Sequence, residues 1–307
     1  MASALSARHF HSAEAAHDYV ETRLWPEGPV CPRCGQHDRI SKMGGSSTRV
    51  GTYKCYKCRK PFTVKIGTIF EDSKVPLNVW LQAMFLIAGS KKGISSNQLH
   101  RTLGVTLKTA WFMSHRIREA MRSGDLTPFG SDGGVVEADE TFIGNRPGAI
   151  RHGTGSSHKY KVLSLVDRNS GASRTYVIDG LGVKDIAPVV EANLSREAFL
   201  MTDEWGTYKA IGWNFSGHGV VKHAAGEYVV QGKPHLHTNT VEGYFSIFKR
   251  GMRGVYQHCK GKHLHRYLAE FDFRYTNREA NGFNDAARAD QLLRGVVGRR
   301  LTYQQAH

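Results

Sequence analysis

The sequence predicts an α/β fold preceded by a small cysteine-bearing segment and a helical segment. Short apolar runs at 135–139, 160–166, 174–179 and 198–203 are interrupted by one helical stretch at 183–194, and helical periodicity returns at 238–253 and 263–278. Three strands, a helix, a strand and then helices is an α/β order. Residues 74–123 keep the 3.6-residue apolar period of packed helices, broken by glycines. Four of the five cysteines fall in two close pairs. These features divide the chain into an N-terminal helix and cysteine segment (1–72), a helical segment (73–123), an α/β domain (130–285) and a basic C-terminal tail (286–307).

The 307-residue chain is long enough for two or three domains. Its formal charge of +15 points to a polyanionic partner, nucleic acid first and an anionic membrane surface second. No run of about 18 apolar residues offers a membrane span. Residues 1–16 are polar and Ala-rich and lack the apolar stretch of a signal peptide. The expectation is a cytoplasmic, nucleoid-associated protein whose thiols stay reduced.

Ala13 to Leu24 reads as a short leading helix, stopped by Trp25-Pro-Glu-Gly28. Cys31-Pro-Arg-Cys34 and Cys55-Tyr-Lys-Cys58 follow, twenty residues apart. Two Cys-x-x-Cys turns at that spacing suit one tetrahedral Zn²⁺, with Gly35 allowing the tight knuckle. Two redox pairs are the alternative, and two-knuckle spacing needs no redox explanation. With four sulfur ligands and no open position, the zinc is expected to be structural. Arg33, Arg39, Lys42, Arg49, Lys54, Lys57, Arg59 and Lys60 surround it and could meet phosphates. Cys259 stands alone and reads as a small buried side chain.

Pro76 suits the first turn of a helix. Ser95 to Leu103 reads as a second helix ending at Gly104, and Thr106 caps a third, Leu107 to Met121. Helix, short Gly turn, helix resembles a helix-turn-helix, with a plain three-helix bundle as the alternative. In the first case Lys108, Thr109 and Trp111 face the major groove, and His115, Arg116 and Arg118 lie nearer phosphates.

Three acidic residues occupy distinct contexts. Asp139 ends one strand-like run, Asp203 ends another, and Glu242 sits in the helix beginning near Thr238. At 100° per residue, Asn239, Glu242, Ser246, Lys249 and Arg253 share one stripe of that helix, while Val241, Phe245, Phe248 and Met252 share another. One stripe packs inward; the other lines a polar cleft in which Glu242 binds metal and Lys249 and Arg253 hold a phosphate backbone. The alternative is a solvated helix face. Converging carboxylates repel unless a cation neutralises them. Oxygen ligands favour two Mg²⁺ (or Mn²⁺) ions, which suit phosphodiester chemistry. Asp132, Glu137, Glu140, Asp185 and Glu204 are alternative acids. His218, His223, His235 and His237 carry no assigned role.

In combination these segments resemble the DDE-superfamily transposases of bacterial insertion sequences, and within them the ISXO-like group. The carrying stretches are Cys31 to Gly35, KCYKCRKPFTVKIGTIF from Lys54 to Phe70, Val136 to Gly144, Thr202 to Trp205 with Tyr208, HTNTVEGYFSIFKRGMRGVY from His237 to Tyr256, and His263 to Asn277. The resemblance implies an RNase H-like catalytic domain after a zinc ribbon and helix-turn-helix. It implies Asp139, Asp203 and Glu242 as the metal-binding triad and Lys249 as the associated basic residue. Asn239 matches the Asn also described as that group's third catalytic member, so Asn239 and Glu242 both stay open as the third ligand. The function implied is DNA transposition. A homo-oligomer would bind double-stranded DNA at terminal inverted repeats, cut it, and join the 3′-hydroxyl to target DNA. A nuclease or resolvase on the same fold, or a non-catalytic DNA-binding regulator derived from a transposase, is the alternative. The Gly144 to Tyr160 stretch reads as a basic DNA-facing loop.

Overall fold

The computed structural model describes residues 3–124, 127–151, 155–203, 206–221 and 237–302. The chain forms two compact units, one of residues 1–122 with 283–307 and one of residues 123–282.

The first unit opens with helix α1 (Ala13–Leu24), whose N-cap Ser12 accepts a hydrogen bond from the Ala15 amide. Strands β1 (Ile40–Lys42), β2 (Tyr53–Cys55) and β3 (Pro61–Phe62) form an antiparallel ribbon in that order. Its apolar core is little more than Cys31, Cys55 and Phe62 with Trp25, Ile40, Tyr53 and Ile66 against them. So small a core needs a cross-link. The four cysteine sulfurs supply the place for one: their ligand atoms all lie within 4.8 Å of one another. The Sγ atoms of Cys31 and Cys58 are 3.7 Å apart, and those of Cys34 and Cys55 are 3.6 Å apart. A tetrahedron with Zn–S bonds of about 2.3 Å sets its sulfurs about 3.8 Å apart, so the cluster has the dimensions of a zinc site. Gly35 adopts φ 69°, the left-handed backbone its knuckle requires. The Cys55 thiol is drawn down to about 7, chiefly because backbone N–H groups of Cys58 and Lys57 point at its sulfur.

Helices α2 (Leu77–Gly89), α3 (Ser96–Leu103) and α4 (Leu107–Ala120) follow. Ser95 and Thr106 cap α3 and α4 by accepting from the amides of Gln98 and Thr109, and Gly104 ends α3 at φ 65°. This is the helix–turn–helix order read from the sequence. At the start of α4, Lys108 is exposed, Thr109 is half-buried and Trp111 is exposed. The expectation that His115, Arg116 and Arg118 reach phosphates does not survive: all three are buried. Arg116 turns inward and donates to the carbonyls of Ile69, Glu71 and Leu301. Residues 286–294, read as part of a tail, belong to helix α9 (Asp285–Arg294). It packs on α2, with Leu292 and Leu293 buried, and Asp290 pairs with Arg23 at 2.6 Å.

The second unit is a five-stranded sheet of β4 (Val135–Ile143), β5 (Tyr160–Asp167), β6 (Ser173–Ile178), β7 (Phe199–Asp203) and β8 (Gly217–Val221), in the order β6-β5-β4-β7-β8. The first three strands are antiparallel neighbours; β7 and β8 run parallel to β4. This is the RNase H-like arrangement implied by the resemblance. Even-numbered β4 residues Val136 and Ala138 join a core with α5 (Val183–Asn193) and α6 (Gly206–Gly212). On the opposite face Ile143, Val162 and Val166 pack with α7 (Asn239–Gly254) and α8 (Gly261–Thr276). Strand alternation therefore assigns odd-numbered β4 residues to the α7 face.

The zinc assignment is checked by metal analysis. One zinc per chain is expected in the purified protein, with loss of zinc and unfolding of the ribbon in Cys31→Ala or Cys58→Ala and after prolonged chelation. A zinc-free protein that keeps its full thermal stability would contradict it.

Candidate active site

Strand register brings the first two acids together. In the parallel β4–β7 ladder, Val135 pairs with Phe199, Val136 with Leu200 and Glu137 with Met201. Continued two residues, the same register sets Asp139 beside Asp203. Neighbouring strands lie about 4.8 Å apart, and a common parity puts both carboxylates on the α7 face. Asp139 lies within β4, four residues longer than its apolar run suggested, and Asp203 is the last residue of β7.

Glu242 comes from the first turn of α7. Thr238 Oγ1 donates to its Oε1 at 3.4 Å. Burial, then the charges of Glu140 and Asp203 and that of Glu242, push the Asp139 carboxyl up to about 8. Asp139 is thus close enough to feel the other two acids. The three are spaced more widely than the cysteines, which form the tight ligand group found among the described residues. Half-buried carboxylates that repel one another could hold a hard cation, which would relieve that repulsion. Asn239 is exposed one turn before Glu242, and Lys249 is half-buried two turns beyond it, its Nζ 5.8 Å from the Phe245 ring centre. Arg253 follows, exposed, one turn further.

The alternative acids fall elsewhere. Glu140 faces the other side of the sheet, where Tyr208 donates to its Oε1 at 2.5 Å. Asp132 lies in an exposed turn, and Asp185 is in the first turn of α5. Glu204, Trp205, His223 and His235 lie outside the described residues. His218 Nε2 meets Thr202 Oγ1 at 2.8 Å, and burial lowers its pKa.

Glu137 has a different task, one its sequence position among apolar residues only hinted at. It is completely buried on the same face as Asp139. Its Oε1 accepts from Arg168 Nε at 2.6 Å and lies 3.4 Å from His237 Nδ1. Its Oε2 accepts the Val241 amide at 2.8 Å. Val241 is the third residue of α7, so its N–H is one of the donors a helix leaves unpaired at its start. Thr238, the N-cap, makes no side-chain cap bond. Glu137 therefore acts as a remote cap, and Arg168 closes the arrangement by donating to the His237 carbonyl. On the same face Asp272 accepts from Ser173, Thr175 and Tyr244, tying α8 and α7 to β6.

Comparison with known proteins gives two family matches and one relative. Residues 132–276 match the ISXO2-like transposase domain, and residues 11–61 match the transposase zinc-ribbon domain. A protein described as uncharacterized, in transposable element ISH50 of Halobacterium salinarum, is 26% identical over 265 residues, covering 80% of this chain and 86% of the relative. No helix among the described residues is long and apolar enough to cross a membrane.

Two measurements check this geometry. Glu137→Ala leaves the half-buried Arg168 beside an empty acceptor site and the buried Val241 amide unpaired. It should cost about 3–5 kcal/mol in chemical denaturation, the usual penalty for removing one partner of a buried pair. Asp139→Asn should do the reverse. A carboxyl raised from 3.8 to about 8 in the folded state holds a proton that the unfolded chain releases. Its contribution is intact below pH 4 and is lost as the pH rises toward 8. In metal-free buffer Asp139→Asn should therefore be more stable than wild type by about 1–2 kcal/mol at pH 8, with the gap closing by pH 4. Equal stability at both pH values would mean that Asp139 is not held against other acids.

Proposed function

We propose that this chain is an ISXO2-like transposase that cuts the ends of its own insertion sequence and joins the freed 3′-hydroxyls to target DNA. The observation that supports the reading is the β4–β7 register, which sets Asp139 beside Asp203, with the Glu242 charge acting on Asp139. Asp139, Asp203 and Glu242 are the residues that would hold two Mg²⁺ (or Mn²⁺) ions. Bound there, such ions activate a water or 3′-hydroxyl and stabilise the leaving oxygen of a phosphodiester.

The chain's own residues supply position and charge. Glu137 and Arg168 hold the start of α7 in place, and Thr238 orients Glu242. Glu242, half-buried and held by Thr238, is the proposed third ligand; Asn239, exposed one turn earlier, is the proposed contact to the DNA strand. Lys249 lies seven residues from Glu242, roughly 10 Å along the helix, and Arg253 one turn beyond. Both are set to take successive backbone phosphates leaving the site. Lys108, Thr109 and Trp111 at the start of α4 are the groups proposed to read the terminal inverted repeats in the major groove; Arg116, being buried, is not offered to phosphates. Joining two ends to one target requires two active sites, hence a homo-oligomer on DNA. The setting is the nucleoid.

The deciding experiment incubates purified protein and Mg²⁺ with a plasmid carrying the gene's native flanking DNA. Asp203→Asn, Glu242→Gln and Asn239→Ala are run beside wild type, and ends and joints are mapped. Wild type should give cleavage at the flanks and joined products. Asp203→Asn and Glu242→Gln should lose at least about 100-fold in rate, and Asn239→Ala less. Cleavage without joining would favour a nuclease. Tight binding with no cleavage by wild type would leave a DNA-binding regulator and remove the catalytic assignment.

A further inference from the structure

The loop between β4 and β5 encloses a cavity of about 360 Å³ lined by Asn145, Ala149, Arg151, Gly155, His158 and Lys159. Its frame is well defined. The Arg146 amide donates to the His158 carbonyl at 2.8 Å, closing the two limbs of the loop on each other. Arg146-Pro-Gly-Ala149 is a reverse turn, with the Ala149 amide donating to the Arg146 carbonyl at 3.2 Å and Gly148 at φ 73°. Pro and then Gly at the central positions are what a type II turn demands. No acidic residue occurs between Gly144 and Tyr160.

Two observations point to an anion. Arg151 and Lys159 bring two cations to one small cavity, and Asn145 adds an amide donor. His158 is 8% exposed, yet its Nδ1 has no hydrogen-bond partner among the described residues. A buried ring nitrogen left unpaired costs about 1–3 kcal/mol, a cost that a bound acceptor would offset. Ile150, between two lining residues, is 72% exposed. An exposed apolar side chain next in sequence to lining residues suits the sugar of a nucleic-acid strand better than a free ion.

We propose that this cavity is a phosphate site for one backbone linkage of the DNA strand, separate from the carboxylates. The proposal rests on the DNA-transposase reading. β4 runs from Asp139 to the loop, and four residues of strand span about 13 Å. The first lining residue, Asn145, lies two residues beyond that, so the linkage held is a different one from the linkage that is cut.

The test uses full-length protein and a labelled duplex of the native flanking DNA, with Arg151→Ala, Lys159→Ala and Lys108→Ala beside wild type. Melting temperatures confirm that the variants fold. Each phosphate contact contributes about 0.9 to the slope of log K against log salt. Across a fourfold rise in salt, Arg151→Ala and Lys159→Ala should lose about 3.5-fold less affinity than wild type. Duplexes with single neutral methylphosphonate linkages then locate the contact. One linkage should weaken wild type and leave Arg151→Ala unaffected, while Lys108→Ala stays sensitive to it. Wild-type salt slopes in both pocket variants, or a methylphosphonate profile unchanged by Arg151→Ala, would overturn the pocket and leave the transposase reading standing. Protection of the cavity by inorganic phosphate alone, with DNA binding unchanged in the variants, would overturn it in favour of a free-anion site. Failure of wild type to bind the flanking duplex would overturn both.

Discussion

A carboxylate taken fully out of water costs several kcal/mol unless its charge and lone pairs are met by fixed partners. Glu137 meets that condition in the middle of β4, with Arg168 from the end of β5 on one oxygen and the Val241 amide of α7 on the other. Those partners fix how α7 enters the sheet face, because the capped amide belongs to its first turn. Asp139 lies two residues along the same strand, and Glu242 one residue along the same helix. The distance between them is therefore inherited from a contact that neither makes. A one-residue slip of β4 would turn both Glu137 and Asp139 to the opposite face, so the register is held by the same buried charge that places the site.

Much of this was legible in the sequence where a local rule decided the outcome. The cysteine spacing gave the ribbon; Ser95, Gly104 and Thr106 gave the ends of α3 and α4 because caps depend on neighbouring residues only. Asp139 and Asp203 were recognisable as acids closing apolar runs. What escaped depended on distant partners. β4 runs on through Glu140-Thr-Phe-Ile143 because β5 pairs with it residue by residue. β8 is a short Gly-His-Gly-Val-Val edge with little apolar pattern, ordered by its ladder to β7. α9 looked like a basic tail because its arginines dominate the composition, yet Leu292 and Leu293 find a core supplied by α2. The role of Glu137 needed Arg168 and Val241, both far along the chain.

The net charge of +15 also divides differently from what composition suggests. Arg116, Arg118, Arg174, Arg274 and Arg288 are all less than 10% exposed. Their guanidinium groups meet carbonyls, amides and carboxylates inside the protein, as Arg174 does with Thr127 and Asn193. A planar five-donor fork suits that work, which a lysine does not replace. The cations with solvent access are fewer and lie in identifiable places: the ribbon surface, the start of α4, Lys249 and Arg253 on α7, and the β4–β5 loop.

The acids tell the complementary story. Alternation along β4 separates Asp139 from Glu140, so one faces α7 and the other is held by Tyr208 across the sheet. Glu140 still raises the charge felt by Asp139 without sharing its side of the sheet, and burial raises Glu140 itself to about 7. The strand thus carries two adjacent carboxyls that resist ionisation near neutral pH. Under the proposed function this sets a cost on the empty site that a divalent cation relieves. Loading is coupled to release of the Asp139 proton, so affinity for the ion should rise with pH until that carboxyl is fully ionised. Under that reading the repulsion on Asp139 is what the ions held by Asp139, Asp203 and Glu242 would relieve. That follows from three residues whose positions are fixed by strand register and by one remote helix cap.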